Sequence, residues 1–219
     1  MKPYTPYIYV DANVLLRVLN GEEYAFSVFE PEQTQVVLGR ACKIENDVFI
    51  ENCQKDRVPI LKRMGGGGSV VLTQGIVVIS LAGKTPVPFN LAEHMNSVNR
   101  SIIRVLESFN ITNLSIKGTS DIVLRNRKIL GSSLYRKKNL VLYQGSLLVK
   151  PDMSIFDRYL KHPEKEPAYR KKRKHSCFMT SLHQEGFTID QSDLIQKLSG
   201  MCESGPPWKE LASVISTGN

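Results

Sequence analysis

Two short stretches of this 219-residue chain combine residue types that suit chemistry on anionic substrates. The first is Lys62-Arg63-Met64, four glycines from Gly65 to Gly68, then Ser69-Val70-Val71. Consecutive glycines lose much backbone entropy on folding, so a passive connection seldom needs them. What they allow is close approach of backbone N–H groups to an anion, and Arg63 beside them can offer a two-pronged guanidinium to a phosphate. Neither common phosphate loop accounts for the stretch. A G-x-G-x-x-G fingerprint counted from Gly66 ends on Val71 and runs into β-type residues where a helix is required. Gly83-Lys84-Thr85 ends like a P-loop, but its first glycine position is Val78. A glycine-rich turn without a ligand remains the plain alternative. The second stretch is Arg125-Asn126-Arg127-Lys128. By composition alone a lysine in such a run is a solvated surface residue.

Other chemistries find less support. Cys42, Cys53, Cys177 and Cys202 are widely spaced, and none pairs with His94, His162, His175 or His183 at zinc-site spacing, so no structural metal is expected. The net charge of +8 is unevenly placed: Lys161–His175 holds seven Lys/Arg and two Glu, centred on Arg170-Lys171-Lys172-Arg173-Lys174. With Tyr169 as its one aromatic neighbour, this run is a weak nucleic-acid signal and suits an acidic protein or a phosphate-bearing ligand equally well, or a solvated face. An apolar fraction of 42% and a charged fraction of 23% fit a globular domain with a core. No run approaches the roughly 18–20 apolar residues of a membrane span, and the N-terminus lacks a signal-peptide pattern, so a cytoplasmic protein is expected.

The surrounding pattern predicts the elements that must carry these residues. Tyr7–Val10 reads as a short strand, and Asp11-Ala12-Asn13 can cap a helix bearing Val14, Leu15, Val18 and Leu19. Tyr24–Phe29, Gln35–Leu38 and Val58–Leu61 read as strands, with a helix over Glu45–Gln54. Ser69–Thr73 and Ile76–Leu81 are β-branched runs, and Gly75 between them predicts a hairpin or bulge. From Asn90 to Phe109 apolar residues recur at helical steps (Met95, Val98, Ile102, Leu106), which predicts a long amphipathic helix. Asn113–Ile116, Asp121–Leu124, Lys128–Tyr135 and Leu140–Val149 follow as strands, then helices at Met153–Leu160, Ser192–Leu198 and Pro207–Ile215. The class implied is α+β, a mostly antiparallel sheet packed with helices, in one domain spanning residues 1–219.

Four ordered segments then resemble one family. Val36-Val37-Leu38-Gly39-Arg40 looks like a V-I-G-R strand end, and Arg63 to Val71 follows it. Ser120-Asp121-Ile122-Val123 with Arg127-Lys128-Ile129-Leu130-Gly131-Ser132-Ser133 resembles an N-D-[LIV] … K-[IV]-x-G-[ST]-[AS] signature, and Tyr143-Gln144-Gly145-Ser146-Leu147-Leu148 an H-H-G-T-L-L strand. Together they are similar to the lipoate–protein ligase A family, within the biotin and lipoate ligase superfamily. The resemblance implies that a carboxylate attacks the α-phosphate of ATP and that a lysine of an acidic lipoyl carrier domain then takes the acyl group. That carrier would be of the glycine-cleavage H type or a dehydrogenase subunit. The implied cofactors and substrates are ATP, Mg2+ and lipoate or octanoate.

On this likeness Lys128 is the catalytic residue, placed near both reacting oxygens. Arg63 and the amides of Gly66, Gly67 and Gly68 would hold the adenylate phosphate, with Ser69 beside them. Val70, Val71 and the Ile76–Ile79 strand would supply apolar walls. Asp121 would orient Lys128 or help hold magnesium, and Gly131, Ser132 and Ser133 complete the expected set.

The chain departs from the family at Leu72-Thr73, where His-Asp is usual, at Ile76, where Asn is common, and at Tyr143-Gln144, where two histidines are usual. It is also expected to lack the C-terminal accessory domain of many members, or to take it from a separate subunit. The nearest rival is an ATP-independent octanoyl or lipoyl transferase of the same fold working through a cysteine thioester. Cys177 is its only candidate nucleophile, and its spacing to Thr180-Ser181-Leu182 does not fit, so a buried inert thiol is expected there. Biotin transfer is a further variant, though its G-R-G-R-x pattern is absent. A non-catalytic nucleic-acid-binding module would account for the charge but not for the glycines or Lys128.

Overall fold

A computed structural model describes residues 4–6, 11–85 and 90–209. In chain order its elements are β1 (Thr5–Pro6), α1 (Asp11–Leu19), β2 (Tyr24–Phe29), β3 (Gln35–Leu38), α2 (Ile44–Asp47), α3 (Ile50–Lys55), β4 (Ile60–Lys62), β5 (Val70–Leu72) and β6 (Ile76–Lys84). They continue with α4 (Leu91–Glu107), β7 (Leu114–Lys117), β8 (Asp121–Leu124), β9 (Arg127–Lys137), β10 (Leu140–Leu148), α5 (Ser154–Tyr159), a 3₁₀ turn (Ala168–Arg170), α6 (His175–Phe178) and α7 (Gln191–Glu203). The strand expected at Tyr7–Val10 and most of the helix expected at Pro207–Ile215 lie outside the described residues.

The strands form two sheets, one ordered β2-β6-β10-β9-β8-β7 and one ordered β1-β4-β3-β5. All pairs in the larger sheet are antiparallel. In the smaller one β4 runs parallel to β1 and β3. The architecture is thus the expected α+β one, with mostly antiparallel pairing.

Strand β6 lies inside the larger sheet and buries all but its last residue, so its two faces meet two different cores. Val77, Ile79 and Leu81 pack with Val98, Ile102 and Leu106 of α4 and with Leu194 and Leu198 of α7. Ile76 and Val78 turn the other way, towards Val36, Val37, Leu38 and Val71 of the smaller sheet. Helix α4 is started by Asn90, whose side-chain oxygen accepts from the N–H groups of Ala92 and Glu93. Such a cap contributes about 1 kcal/mol. Burying Val98, Ile102 and Leu106 contributes roughly 1.5–3 kcal/mol each, so packing rather than capping fixes this helix against the sheet. Among the described residues no helix is long and apolar enough to cross a membrane.

Two expectations need correction. Helix Glu45–Gln54 is broken into α2 and α3, because Val48 forms a β-bridge with Leu160 and the Phe49 N–H donates to the Tyr159 carbonyl. Gly75 joins no hairpin: β5 belongs to the smaller sheet and β6 to the larger, and the chain crosses between them at Thr73–Gly75. Gly75 has φ +83°, and a Cβ there would lie 2.5 Å from the Lys150 carbonyl carbon.

Gly75→Ala should therefore lower stability by roughly 2–3 kcal/mol, a Tm drop of about 6–10 °C. Gly200→Ala, in the exposed face of α7 with open space around it, should raise stability by about 0.5–1 kcal/mol. Thermal unfolding of both variants checks the pair, and equal shifts would contradict it.

Candidate active site

Between the two sheets opens a cleft of about 200 Å³. One wall is the glycine segment, which links β4 to β5. The Arg63 N–H donates to the Leu38 carbonyl and the Arg40 N–H to the Gly65 carbonyl, tying the loop to the end of β3. Gly39 packs so closely that a Cβ on it would lie 2.0 Å from the Gly67 oxygen. The Arg63 guanidinium is buried and donates to three carbonyls: Gly66 at 2.6 Å, Gly68 at 2.8 Å and Val37 at 3.3 Å. In a trans peptide the N–H points opposite to the preceding C=O. With the Gly66 and Gly68 carbonyls turned onto Arg63, the N–H groups of Gly67 and Ser69 point away from it. Arg63 lines the cleft, yet it shapes the cradle by holding carbonyls instead of extending into the cleft as a free phosphate fork, as the sequence suggested. Gly66 itself does not line the cleft, whereas Gly67, Gly68, Ser69, Val70 and Val71 do.

Lys128 arrives from the opposite wall. Ile122 faces Leu130 and Val123 faces Lys128, so Ile129 is an extra residue in β9. This bulge lets Ile129 and Leu130 both enter the helix-side core while Lys128 turns to the cleft. Its ammonium sits 2.8 Å from Asp121 Oδ1, and the other oxygen of that carboxylate accepts from the Tyr169 hydroxyl at 2.7 Å. The lysine stem passes over Gly131, where a Cβ would come within 2.6 Å of Nζ. Gly131, Ser132 and Ser133 line the cleft beside it, and the Ser132 hydroxyl donates to the Ser120 carbonyl at 3.0 Å. Apart from Gly66, the candidate residues read from the sequence thus meet in one place.

Val37, Leu72, Val78, Leu148, Phe156 and Phe178 give the cleft an apolar surface. Of the Ile76–Ile79 strand only Val78 reaches it; Val77 and Ile79 face the helices. Among the departures from the family pattern, Leu72 lines the cleft, while Thr73 meets Thr34 through their hydroxyls at 2.7 Å and Ile76 is buried in the core. Gln144 faces the cleft, and Tyr143 turns to the other side, where its hydroxyl donates to Asn99 at 2.7 Å.

Sequence reasoning assigned no site role to Lys161, Lys165, Arg170 or His175, which also line the cleft. Their only signal was the basic run, which is not a simple solvated face. Arg170 is buried, its guanidinium 4.7 Å from the centre of the Phe178 ring, and Arg173 donates to the Tyr169 carbonyl. Lys171, Lys172 and Lys174 are the exposed members. Cys177 is exposed rather than buried as expected, and it is not part of the cleft lining. Its neighbour His175 turns inward onto Asp157, with Nδ1 3.1 Å from Oδ1.

Cations and outward N–H groups over an apolar slot are suited to reactions that build negative charge on phosphate or carbonyl oxygens. The chain matches the lipoyl protein ligase A/B catalytic domain family over residues 8–201, and it belongs to that family. A probable lipoate-protein ligase A of Mycoplasma pneumoniae is 26% identical over 150 residues, covering 67% of this chain and 43% of that protein. The chain therefore spans less than half the length of this relative. A lipoate-protein ligase A solved with ATP superposes with a TM-score of 0.71 at 15% identity, covering 84% of this chain and 73% of that one. The bi-partite lipoate protein ligase of Thermoplasma acidophilum, described together with its E2 lipoyl domain, gives 0.72 at 16% identity, with 84% and 71% covered.

Burial, with the Arg170 guanidinium close by, pushes the His175 imidazole down from 6.5 to about 4. The folded protein keeps this ring neutral where the unfolded chain already binds a proton, so stability falls as pH drops from about 6.5 to about 4, by on the order of 3 kcal/mol. Urea unfolding at pH 7 and pH 4.5 should show a steeper loss for the unaltered protein than for His175→Gln; equal losses would contradict it.

Proposed function

We propose that this chain attaches a lipoyl-type acid, lipoate or octanoate, to a lysine of a lipoyl carrier domain, using ATP and an acyl-adenylate intermediate. The observation that carries this reading is the cleft itself. The Lys128 ammonium, paired with Asp121 at 2.8 Å, shares an apolar slot with a glycine loop whose carbonyls are turned onto Arg63. The names of the relatives fit it: one is a probable lipoate-protein ligase A, and a structural neighbour is described with ATP bound.

In the first step a carboxylate oxygen of the acid bonds to the α-phosphorus of ATP, and pyrophosphate leaves with the electron pair of the broken P–O bond. The N–H groups of Gly67 and Ser69 offer donors to the phosphate oxygens, and Lys128 neutralises charge between phosphate and carbonyl. In the second step the amine of the carrier lysine bonds to the acyl carbon, AMP leaves, and the amine gives up a proton. The slot around Val78, Leu148 and Phe178 holds the acyl chain and keeps water from the adenylate. Both oxygens of Asp121 are already engaged by Lys128 and Tyr169, and among the described residues no group of three His, Cys, Asp or Glu side chains could hold a metal. Among the described residues the side chains thus form no three-ligand cage, and a magnesium ion would be held chiefly by the ATP phosphates and water.

Lys165 of the cleft lining and the exposed Lys171, Lys172 and Lys174 of the same segment suit an acidic carrier domain. A structural neighbour is described with an E2 lipoyl domain and as bi-partite, which supports a lipoyl-domain partner for this chain and a separate accessory subunit.

The test follows the mass of an apo lipoyl domain incubated with the protein, ATP and lipoate or octanoate. One acyl group should be added, with ATP required. Lys128→Ala should lower the rate by about a thousandfold, the scale for removing a charge stabiliser at the reacting centre, while Cys177→Ala leaves it unchanged. Addition from an octanoyl-carrier protein without ATP, and none with ATP and free acid, would overturn the ligase reading.

A further inference from the structure

Lys128 is a long side chain with four freely turning bonds, and it is only partly shielded from water, with a quarter of its side chain exposed. An ion pair in such a setting does little by itself to hold one geometry. The carboxylate that pairs with it must itself be fixed. Asp121 opens β8 directly after a turn, and its second oxygen accepts from the Tyr169 hydroxyl at 2.7 Å.

The tyrosine is rigidly mounted. Its ring lies against Phe178, with centroids 5.2 Å apart, and its carbonyl accepts from Arg173 at 2.9 Å. Phe178 is flanked by the guanidinium groups of Arg170 and Arg173 at 4.7 and 5.4 Å. The residue next to it, Met179, pairs with Lys128 in a parallel bridge, and the Thr180 N–H donates to the Lys128 carbonyl. The segment that carries Tyr169 is thus tied to Lys128 twice, once through the backbone and once through a hydroxyl and a carboxylate.

We propose that Tyr169 is a positioning residue for Lys128, acting through Asp121. The hydroxyl can only donate here, because an ionised carboxylate only accepts. Burial and the negative charge of Asp121 push the phenol well above its ordinary range, which keeps that proton in place. Pro163, Lys165, Pro167 and Arg170 of the same segment line the cleft, so the contact couples the seating of this segment to the aim of the lysine. This role rests on the reading of Lys128 as the catalytic group.

The test uses Tyr169→Phe, which keeps the ring and removes the hydroxyl. The first readout needs no activity: ¹⁵N NMR of lysine ammonium groups, with the Lys128 signal identified by its absence in Lys128→Ala. That signal should be sharp in the unaltered protein and broadened by solvent exchange in Tyr169→Phe; an unchanged signal would overturn the proposal. The second readout is acyl transfer. Tyr169→Phe should lower kcat by about tenfold, the scale of a small misplacement of a reacting group, with KM for the acid unchanged. The same substitution in an Asp121→Ala background should cause no further loss. An equal loss with and without Asp121 would show that the hydroxyl acts elsewhere and overturn the proposal. If the unaltered protein transfers no acyl group, the functional reading fails, and the NMR comparison still decides the positioning role.

Discussion

Burying a guanidinium is costly unless its N–H groups find acceptors, and Arg63 places both of its terminal nitrogens on the backbone oxygens of Val37, Gly66 and Gly68. The rest of the site follows from that exchange. Carbonyl oxygens are the negative ends of the peptide dipoles, and in a tight glycine loop they could as easily face the cleft and repel an anion. Arg63 gathers them on one side and leaves N–H groups on the other. The smaller sheet frames this arrangement: β3 supplies Val37 and the Leu38 carbonyl, β4 ends at Lys62, immediately before Arg63, and β5 starts once the loop has closed. Lysine at position 63 could not reproduce it, since a single ammonium lacks the planar fork that spans several acceptors.

Alternation along two central strands does the corresponding work for the opposite wall. On β10, Tyr143 and Leu147 enter the helix-side core while Gln144, Ser146 and Leu148 face the cleft. A slip of one residue would exchange these sets. The Tyr143 hydroxyl fixes the register by donating to Asn99 of α4, whose amide donates in turn to the Ser120 carbonyl just before Asp121. That buried chain links the long helix to the strand start that holds the lysine's partner. Behind Lys128, Arg127 pairs with Glu185, which also accepts from Thr180, so the bulged strand is anchored on both faces.

Elements defined by their own local pattern were legible in the sequence. Strands β2, β3 and β8 and the long α4 fall where alternation, β-branching and helical spacing put them. What was illegible depends on distant partners. The runs on either side of Gly75 are alike in composition, and nothing local says that they join different sheets. The break between α2 and α3 comes from Leu160 and Tyr159, about a hundred residues away in sequence. In the site, Lys128 and the glycines were visible through their motifs, but the partners of Arg63 were not, because its acceptors are backbone atoms with no residue signature. Tyr169 and His175 escaped notice for a related reason. Their setting is a basic run that composition alone cannot tell from a solvated face, and Arg170 is buried only because Phe178 and Glu166 are placed to receive it.

The departures from the family pattern bear on how the cleft would read its acid. Leu72 makes one more apolar surface, Ile76 lies in the core, and Thr73 is taken up by Thr34, so none of the three adds a polar group to a lining that already holds Gln144, Ser133, Ser146 and the Lys128–Asp121 pair. On the reading proposed above, the carboxylate is then recognised by charge and the chain by contact. On the same reading the stringent end is that of the adenylate, where the direction of two N–H groups and the aim of one lysine depend on the buried Arg63 and the partly buried Asp121 and Tyr169.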